Sequence, residues 1–218
     1  ALPAAAELQA GFAKVDVTPE KPVPLAGYGA RRGRLSTGVH DKVWARAAVF
    51  DDGHRRSAIL SVDMVGVTAE VRGLLVKGPL GEIEVPSENF LFCATHNHSG
   101  PGGLSKNVLI RVAAGNFDQE LYDWMLKRLG QALRDANAAM APAKLGVGRA
   151  QFEGMSRNRT VEGGPTDPDG LVIEVTDAGD RLRAVFVNFA AHATILGSEN
   201  MEISSEWPGA MCRFLEEA

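Results

Sequence analysis

The chain has 218 residues, of which 45% are hydrophobic and 23% charged, and its formal net charge is −4 at pH 7. This length and composition are typical of a globular protein with a packed core and argue against a disordered or fibrous chain. Lysine and arginine are interspersed with acidic residues, so the basic surface that a nucleic-acid groove needs is not expected. No apolar stretch approaches the roughly 20 residues of a membrane-spanning helix.

The first half of the chain contains four short segments in which apolar and polar residues alternate or apolar residues cluster. They predict strands over residues 11–18, 43–50, 57–65 and 89–94. Asp51-Asp52-Gly53 separates the second strand from the third and has the composition of a turn, so a hairpin is expected there. A short helix is predicted over residues 68–76.

The second half combines one long helix with three strands. Apolar residues recur at helical spacing over residues 118–140, and Asn116 or Asp118 can cap the helix start. Strands are predicted over residues 144–152, 171–176 and 182–190. The polar segment 153–170 is too long for a simple connector, so we interpret it as a candidate functional loop.

The two ends of the chain suggest that a signal peptide is removed before residue 1 and that the domain continues beyond residue 218. A helix that starts near Trp207 is still running at Ala218, with neither a capping glycine nor a polar tail, so we expect the domain to continue beyond it. Residues 1–6 resemble the start of a mature protein after signal-peptide removal, which predicts a secreted or periplasmic location. Many strands with few helices predict an α+β fold of layered mixed β-sheets with helices packed outside.

Two histidines stand two residues apart where a buried strand ends, in Thr95-His96-Asn97-His98-Ser99. Residues i and i+2 of an extended chain point to the same side, so both imidazoles can face one point in space. Neutral imidazole is a good zinc ligand, and one histidine can bind metal while the other acts on substrate. The alternative is a hydrogen-bonded pair at a strand end. The glycine-rich turn that follows, residues 100–103, favours the approach of a ligand to backbone.

A third histidine, His192, directly follows another apolar strand, in Phe189-Ala190-Ala191-His192-Ala193-Thr194. Taken alone, such a residue is more often a hydrogen-bonded core histidine than a metal ligand. Two strand ends of one sheet that both deliver histidines would, however, build a rigid metal site. The repeated pattern therefore favours a metal.

Six short stretches occur together in a characteristic order and rough spacing. They are Gly11-Phe12-Ala13-Lys14-Val15-Asp16-Val17-Thr18-Pro19, Gly38-Val39-His40-Asp41, Ser61-Val62-Asp63, Ala94-Thr95-His96-Asn97-His98-Ser99-Gly100-Pro101-Gly102, Asn158-Arg159-Thr160 and Phe189-Ala190-Ala191-His192-Ala193-Thr194. In this arrangement the chain resembles the neutral, non-lysosomal ceramidase family over nearly its whole length. The resemblance implies a zinc amidase that cleaves the N-acyl bond of ceramide, with residues 1–218 as the N-terminal part of its single, incomplete catalytic domain.

The resemblance also implies roles for individual residues. His96 and His192 match the two zinc-binding histidines of the family, while His98 matches a histidine beside the metal that contacts the substrate or its developing charge. Arg159 matches an arginine that reaches into the same site. The remaining zinc ligands of the family, a glutamate and a tyrosine, and an active-site serine lie further downstream and have no counterpart before Ala218.

Physical chemistry agrees with these roles. Zinc is a Lewis acid that activates water, and His98 or Arg159 can stabilise the oxyanion of a tetrahedral intermediate by about 3 kcal/mol. Without the resemblance, Arg159 would be interpreted as a solvated loop cation. Asp63 can orient a metal-bound histidine or, equally, cap a turn. His40, beside Asp41, matches a family position to which the sequence assigns no role.

Three functions follow from these patterns. The first is a zinc-dependent hydrolase of an N-acyl lipid such as ceramide, a substrate that would allow contact with a membrane surface. The second keeps Zn²⁺ but acts as an amidase or esterase on a non-lipid substrate, because one fold hosts several chemistries. The third is a metal-free binding protein that retains only the fold. Asn97 and Ala193 depart from the threonine and proline usual in the family.

Overall fold

A computed structural model describes residues 7–217, which form an α+β fold, as predicted. Residues 1–6, on which the export prediction rests, lie outside the described part. The strands are β1 (Gln9–Asp16), β2 (Gly38–Val39), β3 (Trp44–Asp51), β4 (Arg56–Val62), β5 (Phe90–Ala94), β6 (Ala141–Gln151), β7 (Asp169–Asp177), β8 (Leu182–Phe189) and β9 (Glu202–Ile203). The α-helices are α1 (Ala69–Leu75), α2 (Val108–Ala114), α3 (Gln119–Ala138) and α4 (Glu206–Glu217).

Seven strands form one mixed sheet in the order β5-β4-β3-β1-β6-β7-β8. Strands β4 and β5 run parallel, and the other neighbours are antiparallel. The join between β1 and β6 is short, with only Gln9↔Pro142 and Ala10↔Ala141 in register. Strands β2 and β9 form a separate parallel pair. The two strands that precede the histidines, β5 and β8, are thus the two edges of the sheet.

The core lies between α3 and the β5-β4-β3-β1 half of the sheet. Asp118 caps α3 by accepting a hydrogen bond from the Leu121 backbone N–H at 3.0 Å, as the sequence predicts. The apolar stripe of α3, including Leu129 and Leu133, is almost completely buried. Gly11 allows β1 to approach this helix closely, because a Cβ there would lie 2.0 Å from the Ala136 carbonyl oxygen.

The predicted hairpin is confirmed as β3 and β4, and its turn is stabilised by Asp52, whose carboxylate accepts the backbone N–H groups of His54 and Arg55. Helix α2 was not predicted. Its sequence Val-Leu-Ile-Arg-Val-Ala-Ala is rich in β-branched residues and has no polar face, so periodicity cannot distinguish it from a strand. None of the helices in residues 7–217 is both long and apolar enough to cross a membrane.

Candidate metal centre

The candidate centre forms where the segments that follow the two edge strands meet. His96 comes two residues after β5, and His192 comes three residues after β8. The His98 backbone N–H donates to the Ala193 carbonyl at 3.2 Å, which joins the two segments. His96 takes a left-handed backbone conformation with φ of 57°. This conformation is uncommon for a residue with a Cβ and is concentrated at functional sites.

The three histidine rings converge. One ring nitrogen from each of His96, His98 and His192 lies within 4.8 Å of the other two. The Nε2 atoms of His98 and His192 are 2.9 Å apart, and the ring centroids are separated by 4.7 to 5.1 Å. Three imidazoles from two chain segments therefore face one small volume, as a metal site requires.

The His96 ring is oriented by backbone. Its Nδ1 lies 2.5 Å from the Val65 carbonyl oxygen, which places the proton on Nδ1 and leaves the Nε2 lone pair free. The buried Asp63 carboxylate instead accepts from the Trp44 backbone N–H at 2.9 Å and the Arg46 guanidinium at 3.1 Å. Asp63 thus holds the Trp44 backbone and the Arg46 guanidinium in place. The Val65 carbonyl, and not the Asp63 carboxylate, contacts the ring of His96.

His98 is the most enclosed of the three rings. The Tyr28 ring packs edge-on against it with a centroid distance of 4.9 Å, and its Nδ1 is buried without a hydrogen-bond partner. Burial, assisted by the charges of His192, His96 and Arg31, lowers the pKa of His98 to about 4. The ring is therefore neutral at pH 7, the form that binds metal or donates a single N–H.

The positive charge of Arg159 acts on two side chains of the same site, His192 and Tyr28. Burial lowers the pKa of His192, and the positive charge of Arg159 lowers this pKa further. The same charge opposes the rise that burial causes in the pKa of Tyr28. Arg159 is exposed and lies in the polar segment between β6 and β7 that the sequence marked as a candidate functional loop. Its catalytic role stays a prediction.

His40 lies outside the histidine cluster, on an Asp41-centred network. Its Nδ1 is 2.8 Å from the Asp41 carboxylate, which also accepts from the Ser204 and Ser205 hydroxyls and, at 3.0 Å, from Arg213. Asp41 thereby joins the segment after β2 to the start of α4. Burial raises the pKa of Asp41, but the hydrogen bonds from Ser204, Ser205 and His40 outweigh it and hold the pKa well below 3.8.

We expect Asp41→Asn to destabilise the fold by about 2 kcal/mol, because it weakens several hydrogen bonds to a charged acceptor. Since the folded-state pKa is depressed, this contribution is fully present above about pH 4 and is lost as the pH falls towards the folded-state value. Urea unfolding at pH 7 and pH 3 checks both points. Asp123→Asn, on the exposed face of α3, is the matched control. A difference between wild type and Asp41→Asn that persists unchanged at pH 3 would contradict the expected linkage.

Two buried charged residues that the sequence patterns do not single out, Arg31 and Glu206, lie beside the histidines. Their relative exposures are 1% and 5%. Glu206 opens α4, where an acidic residue is ordinary, and Arg31 is one of three arginines in a loop with Arg32 and Arg34. Neither pattern distinguishes a buried residue from a solvated one. Burial raises the pKa of Glu206, although hydrogen bonds from Ser99 and nearby backbone oppose the rise.

Fold and site together define an α+β domain with a three-histidine candidate metal centre. The chain belongs to the family described as neutral/alkaline non-lysosomal ceramidase, N-terminal, whose model matches residues 8–218. This confirms the resemblance inferred from the six sequence stretches.

Known relatives agree with this membership. Neutral ceramidase of Pseudomonas aeruginosa is 27% identical, over 91% of this chain and 32% of its own length. Neutral ceramidase A of Dictyostelium discoideum is also 27% identical, over 92% of this chain and 30% of its own length. The crystal structure of the Pseudomonas aeruginosa enzyme superimposes with a TM-score of 0.82 at 25% identity, covering 92% of this chain and 34% of that one. The chain thus spans about a third of the length of these relatives.

Proposed function

We propose that the protein is a zinc-dependent hydrolase that cleaves the amide bond of an N-acyl lipid such as ceramide, releasing a fatty acid and a sphingoid base. The convergence of His96, His98 and His192 within 4.8 Å carries this proposal. Membership of the ceramidase family supports the reaction and the substrate class. We further propose that residues 1–218 are the N-terminal part of one catalytic domain, and that the other zinc ligands and the active-site serine lie outside them.

The residues present fit zinc. Ring nitrogens of His96 and His192 lie within 4.8 Å of each other, so side-chain rotation would bring both within reach of one ion. When bound, zinc supplies Lewis acidity to a carbonyl oxygen and activates water. We assign His96 and His192 to the metal. His98, neutral at pH 7, donates an N–H to the developing oxyanion, and Arg159 adds positive charge there.

An apolar cavity favours a lipid over a polar amide. It has a volume of about 170 Å³ and lies between α3, α2 and the segment after β4. Val65 connects the cavity to the histidines, because it lines the cavity while its carbonyl contacts His96. The other walls are mostly aliphatic or aromatic, including Phe92, Leu104 and Met125. Apolar surface beside a hydrolytic site would stabilise an acyl chain through the hydrophobic effect.

The test compares hydrolysis of a long-chain ceramide with that of short N-acyl amino compounds by the intact protein. We expect chelation to lower ceramide hydrolysis by about 100-fold or more, zinc to restore it, and the lipid to be preferred at least about tenfold. Equal rates on short amides would favour the non-lipid amidase. Purified protein without zinc, and without hydrolysis when zinc is added, would favour the metal-free binding protein.

A secreted or periplasmic location stays a prediction. Fractionation of cells that express the intact gene would test it, with a cytoplasmic enzyme as marker. Recovery of the protein with that marker would contradict export.

A further inference from the structure

Glu206 connects the two segments that carry the histidines. Its Oε1 accepts from the Ser99 hydroxyl at 3.0 Å and from the His98 backbone N–H at 3.2 Å, a donor that it shares with the Ala193 carbonyl. Its Oε2 accepts from the backbone N–H groups of Ile195 and Leu196 at 2.8 and 3.4 Å. One buried carboxylate therefore holds residues 98–99 with one oxygen and residues 195–196 with the other.

Arg31 makes the complementary contacts on the same two segments. Its Nη1 donates to the carbonyl oxygens of His98 at 2.5 Å and Ala26 at 3.2 Å, and its Nη2 donates to that of Gly197 at 3.2 Å. Glu206 thus satisfies backbone N–H groups while Arg31 satisfies backbone carbonyls. Buried loop backbone needs both kinds of partner, because an unpaired buried polar group is costly.

We propose that Glu206 and Arg31 are positioning residues that fix the separation of segments 96–99 and 192–197, and with it the approach of His98 to His192. The 2.9 Å distance between the two Nε2 atoms spans these segments. The proposal concerns the geometry of the protein itself, and it rests on the proposed function only for the statement that this geometry serves zinc.

The backbone of Glu206 supports a role beyond starting a helix. Its φ is 52°, a left-handed conformation that costs a non-glycine residue about 1 kcal/mol or more. An acidic residue that only complements the dipole at the start of a helix does not need a left-handed backbone conformation. Here the conformation is stabilised by the four hydrogen bonds that the carboxylate accepts from the two segments.

The main test is Glu206→Gln, which keeps size and shape but replaces one acceptor oxygen with an NH₂ group. Three of the four partners are backbone N–H groups, which can only donate, so in either amide orientation at least one of them faces a repelling donor. Arg31→Lys keeps the charge but cannot reach three carbonyls in a fixed fork. Glu199→Gln and Arg32→Lys make the same chemical changes at exposed positions and serve as controls.

Cobalt(II) titration of the intact protein reports the site directly. We expect Glu206→Gln and Arg31→Lys to weaken cobalt binding by about 10- to 100-fold and to alter the visible absorption of the bound ion, as changes to groups that orient metal ligands do. The two controls should match wild type. A role limited to stability would lower the melting temperature while leaving the cobalt spectrum unchanged, and that result would overturn the proposal.

Hydrogen exchange on the metal-free protein separates this inference from the proposed function. Either the backbone amides of Ile195 and Leu196 or that of His98, whichever faces the new NH₂ group, should exchange at least about tenfold faster in Glu206→Gln than in Glu199→Gln, because that segment loses its carboxylate acceptor. If wild type binds no cobalt, the zinc hydrolase proposal fails and this exchange still decides the positioning role. Unchanged exchange overturns the inference. Should Glu206→Gln not fold, Arg31→Lys decides through cobalt binding and the exchange rates of these amides.

Discussion

If the proposed function holds, His96→Ala should remove zinc from the purified protein and lower amide hydrolysis at least about 1,000-fold, because the metal would supply Lewis acidity and activate water. The ring of His96 is pre-oriented by the Val65 carbonyl with its Nε2 free, which makes it a rigid ligand. We expect less than about one-tenth of the wild-type zinc content by elemental analysis after dialysis.

His98→Ala should behave differently, retaining most of the zinc while turnover falls by about 100- to 1,000-fold, the effect of losing one oxyanion donor. His54→Ala is the control, since that histidine is exposed in the β3–β4 turn and should leave zinc and turnover unchanged. Because the Nε2 atoms of His98 and His192 are only 2.9 Å apart, geometry also allows His98 to be a ligand. Equal zinc loss in His96→Ala and His98→Ala would establish that role instead.

The sequence predicts the components of this site better than their assembly. Each histidine follows an apolar strand, and strand ends can be located from periodicity and turn residues. The sequence does not show that β5 and β8 are the two edges of one sheet, because strand order depends on pairing between distant residues. The contact between the segments that follow these two strands is what brings His192 to His96, and only the tertiary structure reveals it.

Supporting residues are harder to predict than the histidines. Arg31 and Glu206 act through backbone contacts with segments far away in sequence, 67 residues for Arg31 with His98 and 108 for Glu206 with His98. No local pattern encodes such contacts. The orientation of His96 illustrates the same limit, since the sequence left Asp63 open between orienting a histidine and capping a turn, while His96 Nδ1 contacts the carbonyl of Val65. A backbone carbonyl is present at every position and carries no sequence signal.

Gly27→Ala should impair the site by displacing the ring of His98, although Gly27 is not itself one of the candidate ligands. Gly27 has a φ of 106°, and a Cβ there would lie 2.5 Å from Cγ and Nδ1 of His98. An alanine therefore meets backbone strain of about 1 to 3 kcal/mol and an overlap that is relieved only by moving the ring. A shift of about 1 Å in a catalytic group costs about 100-fold in rate.

We expect Gly27→Ala to lower turnover about 100-fold while zinc stays bound through His96 and His192, and to lower the melting temperature by several degrees, at about 2 to 4 °C per kcal/mol for a domain of about this size. Gly73→Ala in α1 is the control, because its Cβ would meet no atom within 4 Å and alanine favours helix. It should keep full activity with unchanged or slightly higher stability. Gly27 lies on the opposite side of the His98 ring from His192. Wild-type turnover in Gly27→Ala would therefore mean that the reaction does not depend on the position of the His98 ring. The oxyanion role would then pass to Arg159.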